Sequence, residues 1–140
     1  MPRPSRNEMA VRSMATAERV YQVTSTGFVA HGSIVLDGRE LDSEEQSMLN
    51  IMSRAAVHCN EASLEQRDGL WRMHGDPMEG ALLIAGTGAG LDVDITKKQY
   101  PRNDLIPFES ERRLMATPHH NRSGNAFIII KGVPEQLLTA

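Results

Sequence analysis

One well-marked amphipathic helix, set between short strand-like stretches, is the feature that most restricts the fold of this chain. Ser43 opens a capping box with Gln46, and two glutamates lie between them, which is typical of a helix N-terminus. Apolar residues then recur at steps of three and four, so we expect one face of this helix to lie in the core. The residues of this predicted face are Met48, Leu49, Met52, Ala55, Ala56 and Cys59.

Tight turns on both sides of this helix predict antiparallel strand pairs. Two β-friendly stretches before it, residues 8–14 and 19–24, indicate a hairpin. After the helix, Asp68-Gly69 lies between two further stretches, residues 62–66 and 70–73. An Asp-Gly pair in this position is a strong hairpin signal.

Asp76 and Pro77 predict the start of a second helix, as N-cap and first helical residue, and we expect the glycines at 86, 88 and 90 to end it. The remaining predicted elements are a short helix over residues 92–100, strands over 104–109 and 113–117, a polar loop over 118–124, a strand over 125–131 and a terminal helix from Pro134. Strands clustered around helices without regular βαβ alternation predict an α+β fold, a mainly antiparallel β-sheet flanked by helices.

Composition excludes several classes of protein. A chain of 140 residues fits one domain. A net charge of -3 and a pI near 5.9 give no overall field that would attract nucleic acid. Cys59 is the only cysteine, so no internal disulfide forms and a reducing compartment is expected. No apolar run approaches the length needed to cross a bilayer, so we expect a cytosolic domain without membrane insertion. Residues 1–5 are interpreted as a leader or cloning remnant, and residues 6–140 as the domain.

Three short segments in the second half carry residues suited to a ligand site: GDPMEGAL at 75–82, IPFESERR at 106–113 and KGVPE at 131–135. Phe108 is either an inward-facing strand residue or a stacking platform for a nucleobase. Glu79 either complements the helix dipole or accepts a hydrogen bond from a ligand. Lys131 either extends into solvent or lines a site, since the glycine after it allows close approach of a ligand to the backbone.

In this order, the three segments resemble the nucleotide-binding domain of P-type ATPases, the ion pumps that pass through a phospho-aspartate. The branch most similar is that of the calcium, sodium/potassium and proton pumps, in which the third segment reads Lys-Gly-Ala-Pro-Glu. The resemblance runs from about Arg6 to the C-terminus. It includes CNEASL at residues 59–64, to which we assign a packing role.

The resemblance implies a pocket for adenine. Phe108 occupies the place of the phenylalanine that stacks on adenine, and Glu79 that of the glutamate that faces the adenine amino group. Lys131 matches the lysine that lies in the pocket, and Gly132 the glycine that forms part of its floor.

At the phosphate end the match is less complete. Arg113 matches a basic residue near the phosphates. Asp76 matches a position that is usually acidic and that binds ribose or a metal-bound phosphate or caps the helix, and we favour the cap. Ser110 stands where the family often has arginine, and Met78 where threonine is common, so the contacts of those side chains are lost.

The phosphorylation motif Asp-Lys-Thr-Gly-Thr is absent, because Arg3, Pro4 and Ser5 stand where its end would be. In the family the domain also continues beyond the third segment, and a later arginine contacts the phosphates, whereas this chain stops at Ala140. We therefore expect a fragment of a larger membrane pump that binds ATP, with Mg²⁺ accompanying the nucleotide, and does not hydrolyse it alone. Its expected partners are the phosphorylation and actuator domains of the parent pump.

Two other functions were weighed against nucleotide binding. A protein-interaction domain that has lost its nucleotide site remains the alternative, whereas a self-sufficient hydrolase lacks a nucleophile–base pair and hence any catalytic residue. The glycines at 86–90 follow a helix rather than a strand, unlike a phosphate loop. His119-His120 and His58-Cys59 lack the spaced partners of a zinc site, so we interpret them as loop histidines and a core cysteine.

Overall fold

A computed structural model describes residues 9–24, 34–102, 106–109, 114–121 and 123–139. Within these residues the chain has eight strands and four helices, and its three sheets are antiparallel, which confirms the predicted α+β class. The elements in chain order are β1 (Ser13–Ala15), β2 (Val20–Val23), β3 (Ile34–Val35), α1 (Ser43–His58), β4 (Ser63–Arg67), β5 (Leu70–His74), α2 (Pro77–Gly88), α3 (Val93–Gln99), β6 (Ile106–Glu109), β7 (Leu114–His120), β8 (Ala126–Gly132) and α4 (Pro134–Thr139).

The first sheet has the order β1-β2-β3 and packs on the N-terminal half of α1. Its hairpin is the one predicted, with Ala15 paired to Val20. Tyr21 of β2 is completely buried, and its hydroxyl donates to the backbone oxygen of Glu45 at 2.9 Å. This bond satisfies the one polar group of a large core side chain, so the sheet and the helix start are held in a single arrangement.

The capping box of α1 lies one residue earlier than predicted. Asp42, not Ser43, is the N-cap, and its carboxylate accepts from the Glu45 backbone N–H at 2.8 Å. The Glu45 carboxylate accepts from the Asp42 N–H at 2.9 Å and from two Arg39 nitrogens at 2.7 Å each. Glu45 is buried, and the bidentate Arg39 pair lowers the pKa of its carboxyl to about 2. These bonds favour Asp42 as the N-cap. With Ser43 as the N-cap, the third helical residue would be Gln46, whose uncharged side chain could not form the ion pair with Arg39.

The buried face of α1 is also rotated from the predicted one. Leu49, Ser53 and Val57 are almost completely buried, at steps of four residues, whereas Met48 is 37% exposed. The apolar pattern missed this face because two of its positions, Glu45 and Ser53, are polar. Cys59 is fully buried as predicted, just beyond the helix.

The second sheet is the predicted Asp-Gly hairpin, β4 paired with β5. Asp68 and Gly69 have φ values of 50° and 76°, the left-handed backbone that a two-residue hairpin turn of this type requires. The helix α2 follows with Asp76 as its N-cap and Pro77 as its first residue, as predicted. The glycine segment ends α2 as predicted, since the helix passes Gly86 and ends at Gly88, and Gly90 has a left-handed φ of 98°. A Cβ on Gly86 would lie 2.8 Å from a methyl carbon of Val57, so this glycine allows α1 and α2 to pack closely.

The third sheet has the order β6-β7-β8, and all of its strands come from the C-terminal part of the chain. The prediction of a loop from residue 118 is wrong for its first three residues, because β7 continues to His120. Pairs of His119 with Phe127 and of His120 with Ala126 extend the ladder with β8.

We predict that Asp42→Ala lowers the free energy of unfolding by about 1 kcal/mol, because it removes the side-chain cap of α1. Ser43→Ala is the matched control, since Ser43 is an exposed residue inside the first turn, and we expect a change below about 0.5 kcal/mol. Urea denaturation followed by circular dichroism measures both. Equal losses at the two positions would contradict the assignment of the cap.

Candidate functional site

The fold brings together Glu79 and Lys131, two of the predicted site residues that are far apart in the sequence. Glu79 lies in the first turn of α2, and Lys131 lies near the end of β8. The Lys131 ammonium is 2.7 Å from Glu79 Oε2, and the side chains are 23% and 13% exposed. This short, partly buried ion pair is the centre of the candidate site.

The segment from Cys59 to Ala62, which joins α1 to β4, runs past this ion pair and is bonded to both of its members. Lys131 donates to the Cys59 carbonyl at 2.6 Å, and the Glu61 N–H donates to Glu79 Oε2 at 3.2 Å. The Asn60 side chain donates to the Glu79 carbonyl at 2.8 Å and accepts from the Ala62 N–H at 2.8 Å. Asn60 is buried, so these bonds hold the segment and the start of α2 in fixed positions.

Sequence reasoning gave this segment only a packing role and did not identify Asn60 as a residue that builds the site. The available signal was a lone asparagine directly after an amphipathic helix, a residue type that bonds to nearby backbone. The segment does pack as well. The Cys59 sulfur lies 3.9 Å from the Met115 carbonyl and 3.8 Å from that of Ile129, which anchors it on β7 and β8.

Asp76 has the capping role that was favoured for it, since its carboxylate accepts from the Glu79 N–H at 3.2 Å. A ribose or phosphate contact of Asp76 stays a prediction. Gly132 is the last residue of β8 and pairs with Leu114, directly after the lysine of the ion pair. Met78 is 50% exposed on the first turn of α2.

Two further predicted site residues are described in part or not at all. Phe108 lies on β6 between the pairs of Ile106 with Ala116 and of Glu109 with Leu114, so its backbone runs beside Met115. Met115 is itself paired with Lys131, which places the backbone of Phe108 about 10 Å from that of Lys131, two strand spacings away. The side chain of Phe108 and the whole of Arg113 lie outside the described residues.

The ion pair has free capacity for a polar ligand. Among the described residues, both side-chain hydrogen bonds of Glu79 use Oε2, which leaves Oε1 as an acceptor, and Lys131 uses two of its three ammonium protons. An acceptor beside a donor suits a flat heterocycle with an amino group and a ring nitrogen. Within the part of the chain that the structure describes, no cluster of three or more His, Cys, Asp or Glu residues would hold a metal ion.

A cluster of rings lies farther along the same sheet. His58, at the end of α1, has its ring centroid 5.0 Å from that of His119 on β7, and Tyr100 and Phe127 complete the cluster. The interpretation of His119 as a loop residue is wrong, since it is a strand residue only 2% exposed. Its Nδ1–H donates to the Tyr100 carbonyl at 2.9 Å, which leaves Nε2 to accept from the Thr117 hydroxyl at 2.7 Å. We assign this tautomer because a carbonyl can only accept.

Both histidines of the ring cluster are held neutral. Burial lowers the pKa of His58 from 6.5 to about 4, with further lowering from His119, Arg54 and Lys97. Burial also lowers the pKa of His119, against the raising effect of its bond to Tyr100. Because the unfolded chain binds these protons more readily than the folded chain, the two histidines stabilise the fold above their ordinary pKa and not below it.

We predict that the free energy of unfolding falls as the pH decreases from 6.5 towards 4, by up to about 3 kcal/mol for His58. His58→Phe keeps a ring in the cluster and removes this proton, so its unfolding free energy should change less over that interval. His120→Gln is the control, since His120 is exposed and should leave the slope intact. Urea titrations at a series of pH values measure the unfolding free energy of each variant. An unchanged dependence of this free energy on pH in His58→Phe would contradict the assignment of the lowered pKa to His58.

Comparison with known proteins finds one family and several relatives. Residues 48–140 match the family described as P-type ATPase, cytoplasmic domain N. The chain is 31% identical over 134 residues to a calcium-transporting ATPase of Bacillus subtilis, a match that covers 96% of this chain and 15% of that protein. It is 33% identical over 143 residues to the cation-transporting ATPase pma1 of Synechocystis, which covers 94% of this chain and 15% of that protein.

The match to a probable cation-transporting ATPase F of Mycobacterium tuberculosis is of the same extent, 29% identity over 133 residues. The chain therefore spans about 15% of the length of these relatives. Among the residues that the structure describes, no helix has the length and hydropathy needed to cross a membrane. The family itself is that of a cytoplasmic domain, which agrees with the location predicted from the sequence.

Proposed function

The chain belongs to the family of P-type ATPase cytoplasmic N domains, and from this premise we propose that it binds ATP at the Glu79–Lys131 ion pair. The observation that carries the proposal is the 2.7 Å contact between these two side chains. They were assigned to one adenine pocket from segments 52 residues apart, and the fold brings them to the same place.

In the proposed complex the adenine ring stacks on Phe108 and its edge meets the ion pair. The free Oε1 of Glu79 accepts from the adenine amino group, which can only donate. Lys131 supplies the complementary donor, and Gly132 allows the base to approach the backbone. Arg113 and Asp76 are the residues proposed for the phosphate and ribose end.

We further propose that the chain is part of a longer protein, a cation pump driven by ATP, as the names of its relatives suggest. This domain would hold ATP, with Mg²⁺ on the phosphates, so that the γ-phosphate reaches an aspartate on a separate phosphorylation domain. Its own contribution is positioning, which provides much of the catalysis in phosphoryl transfer. An actuator domain completes the set of proposed partners, and the chain alone should not hydrolyse ATP.

The proposed site predicts weak binding by this chain alone. One stacking face and a few polar contacts supply about 4–6 kcal/mol, which corresponds to a dissociation constant on the order of 0.1 mM or weaker. NMR titration with ATP should therefore shift the signals of Phe108, Glu79 and Lys131 at millimolar nucleotide. If none of them shifts, the alternative of an interaction domain without a nucleotide site is supported instead.

We predict that Phe108→Ala weakens ATP binding roughly tenfold, because one base–aromatic stack is worth about 1–3 kcal/mol, and changes the unfolding free energy much less. Phe127→Ala is the matched control, since Phe127 packs in the ring cluster and should lose stability without losing ATP affinity. NMR titration gives the affinities and urea denaturation the stabilities. Equal losses of both quantities in Phe108→Ala would indicate a core residue.

We predict that Glu79→Gln lowers the preference for ATP over GTP, with a loss of ATP affinity of about three- to tenfold. The carboxylate accepts from the amino group of adenine and repels the oxygen that guanine has there, whereas an amide can serve either base. Glu65→Gln is the control, a carboxylate on β4 outside the ion pair. An unchanged ATP/GTP ratio in Glu79→Gln would remove Glu79 from the adenine edge.

A further inference from the structure

We propose that a cavity at the C-terminal end of α1 is a second binding site, which takes a phosphate-bearing anion. The cavity has a volume of about 290 Å³, and its lining includes His58, Lys97, Tyr100 and Arg102. This volume lies at the small end of the range for ligand pockets and suits a compact ligand. The proposal rests on these residues alone and does not require that ATP binds at Glu79 and Lys131.

The two cations of the cavity come from different elements and are positioned in different ways. Lys97 of α3 donates to the Ala62 carbonyl at 2.9 Å, which fixes its ammonium and leaves two protons for a ligand. Arg102 is exposed at the rim, and its backbone forms a β-bridge with His119. A fixed ammonium next to a guanidinium fork is a donor set that suits phosphate oxygens.

His58 adds a buried polar group without a protein partner. The residue is only 6% exposed and lines the cavity, and within the described residues neither of its ring nitrogens has a hydrogen bond. Neither ring nitrogen is enclosed, since Ser53 Oγ is the one fully buried side-chain polar atom without a partner among the described residues, so both nitrogens of His58 are open to the cavity. Its free ring N–H provides a third donor, and its neighbour His119 cannot compete for the ligand because both of its nitrogens are used.

Burial and neighbouring charges both act on the ionisable groups of the cavity. Burial is the largest cause of the lowered pKa values of His58, Lys97 and His119. His119, Arg54 and Lys97 lower the pKa of His58 further, and Arg102 has the same smaller effect on Lys97 and His119. The carboxylates that oppose this are Asp94 and Glu79, which raise the pKa of Lys97, and Glu61, which lines the cavity. Asp94 acts on Lys97 more strongly than Arg102 does, so the lowered pKa of Lys97 reflects its burial, and an anion bound at the ammonium would offset that cost of burial.

The positive surface continues beyond the cavity. A wider depression of about 650 Å³ shares Tyr100 with it and is lined by Arg54, Lys98 and His120 among others. The chain as a whole has a net charge of -3, so this concentration of basic groups is a local feature. It would attract an anion to the cavity although the overall charge is negative.

The phosphate group has two conceivable sources, a separate anion or the nucleotide proposed for the neighbouring site. The two sites lie against the same short segment, because Lys131 bonds to the Cys59 carbonyl and Lys97 to that of Ala62. The shared chemistry is a phosphate held by Lys97, Arg102 and His58. A titration with inorganic phosphate, followed by one with ATP, distinguishes the sources.

The test is an NMR titration of the chain with inorganic phosphate at constant ionic strength, in which the His58 ring and Arg102 side-chain signals are followed. We expect saturable shifts at both and a rise in the pKa of His58 when phosphate is bound. Arg102→Gln should weaken phosphate binding about fivefold or more. Arg72→Gln, an equal change of charge at an exposed position on β5, should leave it unchanged. The absence of saturable shifts, or equal weakening by both variants, would overturn the proposal.

A second arm repeats the phosphate titration with saturating ATP. If ATP removes the phosphate shifts and itself raises the pKa of His58, the cavity takes a phosphate of the nucleotide. If phosphate binds equally well with and without ATP, the ligand is a separate anion, and either result supports the site. If ATP fails to bind while phosphate still binds, the proposed nucleotide function fails and the anion site stands.

Discussion

The hydrogen bond between the Lys131 ammonium and Glu79 is the interaction on which the rest of the site depends. A partly buried ammonium and carboxylate are stable only when each finds partners, and here each is bonded to the other and to the segment from Cys59 to Ala62. This arrangement ties the end of α1, the start of α2 and the end of β8 to one point. A ligand that uses the ion pair therefore meets a position set by three elements rather than by one mobile side chain.

Two apolar clusters among the described residues hold α1 and the elements around it in place. Val57, Ala62 and Leu83 are completely buried and join the end of α1, the start of β4 and the middle of α2. Tyr21 and Leu49 belong to the other cluster, which fixes the start of α1. Polar bonds at the surface would not hold two helices and a strand in register without such packing, because each bond contributes only about 0.5–1.5 kcal/mol net.

The features predicted best from the sequence are those that depend on neighbouring residues alone. The Asp76-Pro77 start of α2 and the Asp68-Gly69 turn were identified because their backbone geometry depends on those residues themselves. The meeting of Glu79 with Lys131 followed from the resemblance of ordered segments, since no local pattern reports a contact over 52 residues. The cap of α1 was misplaced by one residue because the pair of Arg39 with the buried Glu45, which favours Asp42 as the cap, lies partly outside the helix and its capping pattern.

The misassigned histidine has a related cause. Pro118 and two histidines look like a polar loop in sequence, but β8 provides a full ladder and the Thr117 hydroxyl and Tyr100 carbonyl satisfy the His119 ring. Local composition reveals neither the pairing with β8 nor the hydrogen bonds of the His119 ring. The ring cluster and the basic cavity beside it were missed for that reason, since their residues come from α1, α3, β7 and β8.

The claim that adenine lies at the ion pair is tested most directly by intermolecular nuclear Overhauser effects between bound ATP and the isotope-labelled chain. The account predicts contacts from the adenine H2 and H8 protons to the side-chain methylenes of Lys131 and the α protons of Gly132. Contacts of these adenine protons to Tyr100 and His58 alone would place the base in the basic cavity and contradict it.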